Sequence, residues 1–206
     1  MKLPLFIHGW AFSSKVFFPF TGIKPDLPAH GGSNEIYTDL DKTVAKLALT
    51  IPDKRDVVGW SLGGSLAILL AFKFPEKVKR LFLIGTSPFF GKAWPEENLR
   101  AFKIMIRKKG VSAFRSMVIP NFKDRIEEKY AMKMLEDYIN LDLRDIIPVV
   151  KKEVFILQGE KDPIVPVKEA FILHSLFKRS KLIILPGGHF PAEDERAVIS
   201  SLLKSS

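Results

Sequence analysis

Five short runs of aliphatic and aromatic residues punctuate the chain: Leu3 to Ile7, Val57 to Gly59, Leu81 to Ile84, Val154 to Leu157 and Leu182 to Leu185. Each is apolar at consecutive positions, not at alternate ones, which is how a strand covered on both faces reads. Between them lie stripes at helical spacing. Ile36, Leu40, Val44 and Leu47 mark one helix, and Leu66 to Phe74 marks a second that is apolar nearly all round and ends at Pro75. Alternation of strand and helix predicts an α/β class with a mostly parallel, buried sheet.

After "LFLIGTSPFF" the strand rhythm stops. Pro95 to Lys109 carries Leu99, Phe102 and Ile106 at helical spacing, and Lys123 to Tyr138 carries Ile126, Tyr130, Met134 and Tyr138. Gly110 is suited to end the first of these. Strands resume only at Val154, so residues 87–150 read as a helical cap inserted into a core made of 1–86 and 151–206. The chain has 206 residues, 47% of them hydrophobic, which is enough for one domain with a sizeable core.

Composition narrows the chemistry. There is no cysteine, which removes disulfide frameworks, thiolate metal sites and thiol nucleophiles, and fits a reducing cytoplasm. The opening "MKLPLFIHGW" is short, contains Pro4 and lacks a cleavage site, so it reads as a strand and not as a leader. No run approaches the roughly 18 apolar residues of a membrane span. Lys and Arg total 32 against 23 Asp and Glu, a formal charge of +9, which points to an acidic partner. No nucleic-acid motif accompanies that charge.

The chemistry itself starts at "DVVGWSLGGSLA", residues 56–67. Here G-x-S-x-G joins a strand to a long apolar helix, a sharp turn that lifts the Ser61 hydroxyl clear of the sheet and sets it over a helix N-terminus. Flanking Gly59 and Gly63 bring no side chain to crowd it. A serine hydroxyl needs a base. Of the four histidines, His8 closes the first strand, His30 sits in "DLPAHGGS" and His174 lies on a helical face; His189, in "PGGHF", leaves the C-terminal end of a strand, where parallel sheets place reactive groups. Asp162 in "VFILQGEKDPIVP" follows another strand and completes the order Ser, Asp, His, with Glu160 as its neighbouring alternative. The oxyanion donors expected are the backbone N–H groups of Leu62, directly after the serine, and of Trp10, after "HG". His8 then shapes its loop. No metal or cofactor is called for.

Taken together, "FIHGWAFSSKVF", "DLPAHGGS", "VVGWSLGGSLAILLAFKFPEKVKRLFLIGTSPFF", "LDLRDI", "VFILQGEKDPIVP" and "LPGGHFPAEDE" resemble an α/β-hydrolase over nearly the whole chain. "HGW", "GWSLGG", "TSP" with its aromatics and "DLR" resemble, within that superfamily, the pimeloyl-[acyl-carrier protein] methyl ester esterases of biotin synthesis. The resemblance implies Ser61, Asp162 and His189 as a triad, Trp10 and Leu62 as oxyanion donors, and a methyl ester on an acidic acyl carrier protein as substrate. Between Lys92 and Arg115 there are seven basic residues and two acidic ones. Carrier docking is therefore expected at Arg100, Lys103, Arg107, Lys108 and Arg115, with Trp10, Phe89, Phe90, Trp94, Phe102 and Met117 lining the acyl path. A general short-chain carboxylesterase, a menaquinone-pathway lyase on the same scaffold and a non-catalytic carrier-binding protein are the competing readings. Few residues precede "HGW" and the strand before Pro25 is reduced to "GIK", so a sheet of about six strands is expected.

Overall fold

A computed structural model describes residues 2–205. Its sheet has five parallel strands in the order β1-β2-β3-β4-β5: Leu5–Ile7, Arg55–Trp60, Val78–Ile84, Glu153–Gly159 and Ser180–Leu185. The register runs in one row through Ile7, Gly59, Leu83, Ile156 and Leu182, so all five strands deliver their following loops to the same edge. The α/β class with a parallel sheet expected from the sequence is present, with five strands and not six. "GIK" pairs with β1 through Ile23 alone, which bridges to Leu5, receives Phe6 N–H and donates to Pro4. Two hydrogen bonds are too few to make a strand.

That single bridge still matters to topology. The chain steps outward from β1 to Ile23, then returns past β1 to form β2. Loops leaving β1 and β2 therefore diverge, and such a switch point at the carboxyl ends of parallel strands is where these folds open a crevice.

Helix α1 (Leu40–Thr50) buries Leu40, Val44 and Leu47, as their spacing predicts. Ile36 lies before it and is exposed, because the Asp39 side chain accepts Lys42 N–H and starts the helix there. Helix α2 (Leu62–Lys73) begins directly after Ser61 and has ten buried residues in succession, Leu62 to Ala71. Being wrapped on all sides, it needs no polar face, which is why its sequence shows no stripe. Its first turn lies on the strands' backbone: a Cβ on Gly63 would run into the carbonyls of Ile7 and His8, and one on Gly59 into Gly63 itself. These glycines are required by close helix-to-strand approach, more than to clear space around the hydroxyl.

Between β3 and β4 run α3 (Phe90–Ala93), α4 (Glu96–Lys109), α5 (Val111–Val118) and α6 (Glu128–Asn140). Gly110 ends α4 with φ of 72°, as its place predicts. Helix α6 starts at Glu128 and not at Lys123; Ile126 precedes it and bridges to His30. Helix α7 (Val167–Leu176) joins β4 to β5, and α8 (Glu193–Lys204) closes the chain. Strand β5 is an edge, and its Ile184 is exposed.

Candidate active site

Ser61 occupies the turn between β2 and α2 at φ 55°, ψ −122°, a conformation that costs a non-glycine residue about 1–3 kcal/mol. The turn is held by Ser61 N–H donating to Ile84 and by the Ser61 carbonyl accepting from Gly64 and Ser65. Although Ser61 is the helix N-cap, its hydroxyl caps nothing. The side chain that usually satisfies a helix end is left free for chemistry.

His189 follows β5, and its Nδ1 lies 2.8 Å from Asp162 Oδ2. Asp162 follows β4 and is saturated. Its Oδ1 accepts the N–H groups of Ile164 and Val165, each at 2.8 Å, and its Oδ2 also accepts Gln158 Nε2 at 2.9 Å. An ionised carboxylate in that setting accepts Nδ1–H, which leaves the lone pair on His189 Nε2. That nitrogen is enclosed and, among the described residues, has no hydrogen-bond partner. Glu160, the neighbouring alternative, is exposed.

The imidazole is fixed from several directions. Trp60 Nε1 donates to the His189 carbonyl at 2.8 Å, and the indole packs against the imidazole with ring centroids 5.4 Å apart. Gly85, at φ 53°, turns beneath, where a Cβ would come to 3.1 Å from His189 Nδ1 and 3.3 Å from Asp162 Oδ2. Buried Glu195 accepts Gly187 N–H at 2.7 Å and Ala192 N–H at 2.8 Å, pinning the loop that carries His189. Nothing in the sequence singles out Trp60, Gln158, Gly85 or Glu195 for this site. A glutamate three positions after the N-cap of α8 is a capping signal, but with Ala192 at the cap it does not stand out.

The loop after β1 is organised by two histidines. Leu27 N–H donates to His8 Nε2 at 2.9 Å, so His8 Nδ1 is the donor to the Gly9 carbonyl at 2.9 Å. Gly9 C=O and Trp10 N–H belong to one peptide plane and point opposite ways. Fixing the carbonyl therefore aims the N–H. Ala11 N–H donates to His30 Nε2 at 3.1 Å, and His30 Nδ1 faces the Pro28 carbonyl at 2.8 Å. Burial holds both imidazoles neutral: it lowers His8 to about 4 against the pull of the Gly9 carbonyl, and His30, which also feels His8, to about 3. His8 shapes its loop, as expected, and His174 pairs with Ser180 Oγ at 2.7 Å, away from this cluster. Neither Trp10 N–H nor Leu62 N–H has an acceptor among the hydrogen bonds of the described residues.

The cap closes over this arrangement. Ser61 and His189 are 7% and 3% exposed. Trp10 Nε1 donates to the Ala131 carbonyl on α6 at 2.7 Å, and aromatic contacts run from Trp10 to Phe114, Phe102 and Trp94, then to Phe90 and Tyr138. Of the residues expected to line an acyl path, Phe90 and Phe102 are buried in this stack, Phe89 and Trp94 are half-buried, and Met117 is 55% exposed. Met117 is on the wrong face of α5, whose inner face is Val111 and Phe114. Arg115 is a second correction. It is buried, donates Nε to the Ala11 carbonyl and a terminal nitrogen to the Asp124 carbonyl, and so ties the cap to the loop of Trp10 instead of facing a partner. Arg100, Arg107 and Lys108 are exposed and Lys103 half-buried.

Two surface grooves of about 720 and 510 Å³ lie along Pro25–Thr50 and between Phe20 and α8. Neither is lined by Ser61 or His189, so hydrogen-bond geometry and not groove size marks the site. Among the described residues no cluster of metal-ligating side chains occurs, and no helix is long and apolar enough to cross a membrane.

The chain is similar in sequence to named esterases and in fold to solved hydrolases. The pimeloyl-[acyl-carrier protein] methyl ester esterase of Pseudoalteromonas atlantica is 31% identical, over 90% of this chain and 86% of that protein. Its counterpart in Nitrosomonas europaea is 27% identical over 90% and 87%. Among solved structures, a hydrolase from Oleispira antarctica superposes with a TM-score of 0.85 at 13% identity, covering 100% of this chain and 92% of the other. An esterase from Exiguobacterium antarcticum gives 0.83 at 19%, with the same coverage. The model of the alpha/beta hydrolase family matches residues 5–201, and the chain belongs to that family.

Proposed function

We propose that the protein is a serine carboxylesterase that hydrolyses the methyl ester of a pimeloyl chain carried on an acyl carrier protein, a step of biotin synthesis. The observation that carries the reading is the enclosed Nε2 of His189, freed for a proton by the Asp162 bond to Nδ1, at the sheet edge where Ser61 is held in its strained turn. The names of the relatives supply the substrate. Ser61 Oγ attacks the ester carbonyl as His189 Nε2 takes its proton. Trp10 and Leu62 N–H groups receive the oxyanion, each such donor contributing about 3 kcal/mol. His189 returns the proton to the departing methoxy oxygen, and water, activated in the same way, releases the acid from the acyl-enzyme.

The acidic carrier docks on the outer face of α4, at Arg100, Lys103, Arg107 and Lys108, without Arg115. The lack of cysteine fits a reducing compartment, and we place the enzyme in the cytoplasm with its carrier. Ser61→Ala tests the nucleophile: the variant stays folded and loses turnover by orders of magnitude, as well as labelling by a serine-directed phosphonate. Substantial residual turnover refutes the assignment. Turnover of the carrier-bound ester falls steeply with salt, whereas that of a small p-nitrophenyl ester barely changes. Equal salt responses, or a preference for the small ester, point instead to a general esterase.

A further inference from the structure

Tyr138, near the end of α6, brings a polar atom from the cap to the serine. The residue is 3% exposed, and its ring is stacked on Phe90, with centroids 4.8 Å apart and planes 5° from parallel, so it has no room to swing. The groups that act on its hydroxyl are the hydroxyls of Ser65 and Ser61 and the carboxylates of Asp162 and Glu169. Yet Tyr138 Oη and Ser65 Oγ are enclosed and, among the described residues, make no hydrogen bond, like His189 Nε2. A buried hydroxyl left without a partner costs on the order of 1–3 kcal/mol. Phenylalanine and alanine fill the same space without that cost. Three orphaned polar groups around one serine form a seat for an oxygen-bearing ligand.

We propose that Tyr138 is a catalytic residue supplied by the cap: with the ester seated, its hydroxyl donates a hydrogen bond to the alkoxy oxygen of the scissile ester, and Ser65 Oγ turns to donate to Tyr138 Oη. This rests on the reading of Ser61 as nucleophile. The tetrahedral carbon then bears three oxygens, namely Ser61 Oγ, the oxyanion and the alkoxy oxygen. Backbone N–H groups from the sheet side take the oxyanion. The alkoxy oxygen has only His189 Nε2–H from the sheet's loops, and Tyr138 approaches from the cap. On collapse the bond from carbon to the alkoxy oxygen breaks, its electron pair stays on that oxygen, and the proton that Ser61 gave to Nε2 moves onto it. The alcohol leaves and the bond from Ser61 Oγ to carbon remains. Tyr138 shares its proton without losing it, and burial, which raises its ionisation above the ordinary phenol range, keeps it a neutral donor throughout. Ser65 bonding to the phenol oxygen strengthens that donation.

The test compares leaving groups. Methoxide is a poor one and needs help; p-nitrophenolate leaves without it. Tyr138→Phe and Ser65→Ala each remove one oxygen and keep the packing. In kcat/KM, which reports acylation, Tyr138→Phe is expected to lose roughly 10- to 100-fold on the carrier-bound methyl ester and less than about 3-fold on a p-nitrophenyl ester; Ser65→Ala loses less, in the same direction. Both variants are still labelled to one equivalent by a p-nitrophenyl phosphonate, showing an intact Ser61. Equal losses on the two esters, or no loss on the methyl ester, overturn the role of Tyr138. If the wild-type protein itself is not labelled, the nucleophile reading fails instead.

Discussion

Lowering the pH from 7 to 5 should strip this protein of about 4 kcal/mol of stability, and two residues account for it. His8 and His30 are both fully enclosed, and burial brings them from the ordinary 6.5 to about 4 and about 3. A histidine whose folded pKa lies below its unfolded one binds fewer protons when folded. Stability is therefore complete above 6.5 and declines as the pH falls toward the folded value. Each group contributes a slope of about 1.4 kcal/mol per pH unit in that window, so at pH 5 each has lost about 2 kcal/mol. The result does not depend on how far below 5 the folded values lie. Asp26 stays out of the window: against the cost of its burial, the N–H groups of Ser14 and Gly32 hold it below the usual carboxylate range, and its loss comes at still lower pH. Against a typical total of about 5–15 kcal/mol, such a fall is readily measured by urea unfolding at pH 7, 6 and 5. His30→Gln, which keeps an acceptor for Ala11 N–H, should halve the slope. A decline under about 1 kcal/mol by pH 5, or an unchanged slope in the variant, refutes the account.

Gly63→Ala should destabilise by more than about 2 kcal/mol, since the added methyl meets strand backbone that has nowhere to go; thermal melting checks this, and a neutral result means that α2 rides higher than described. Arg115→Leu strands the carbonyls of Ala11 and Asp124, which should cost about 3 kcal/mol and lower kcat on the carrier-bound and the small ester alike. Arg107→Ala, on the exposed face of α4, should raise only the KM for the carrier-bound ester. A carrier-specific KM effect from Arg115 would reverse that distinction.

What the chain discloses by itself depends on how local the cause is. Strands β1 to β4 show as unbroken apolar runs because both faces are covered, and the candidate serine and aspartate are readable because each follows such a run; the candidate histidine follows β5, which reads as an apolar run although it lies at the sheet's edge with Ile184 exposed. Spacing alone draws Ile36 into α1, but the cap at Asp39, also visible in the sequence, is a stronger local signal than one apolar side chain. Spacing draws Ile126 into α6 in the same way, whereas its place is set by a bridge to His30, nearly a hundred positions away. Arg115 looks like any surface cation because the two carbonyls that hold it come from other segments. Gln158, Glu195 and Tyr138 were hidden for the same reason: a side chain that braces a site across the fold leaves no period behind it.

The three tryptophans of the chain have their own consequence. Trp10 spans the Ala131 carbonyl and Phe114, Trp94 stands edge-on to Phe102, and Trp60 is locked to the His189 carbonyl. An opening of the cap to an ester is expected to wet Trp10, now buried, and to expose the half-buried Trp94 further, while Trp60, fully buried in the sheet, stays dry. The protein thus carries a built-in fluorescent gauge, in which a red shift of part of the emission reports the helices between β3 and β4 and the unshifted remainder reports the candidate site, with no dye attached.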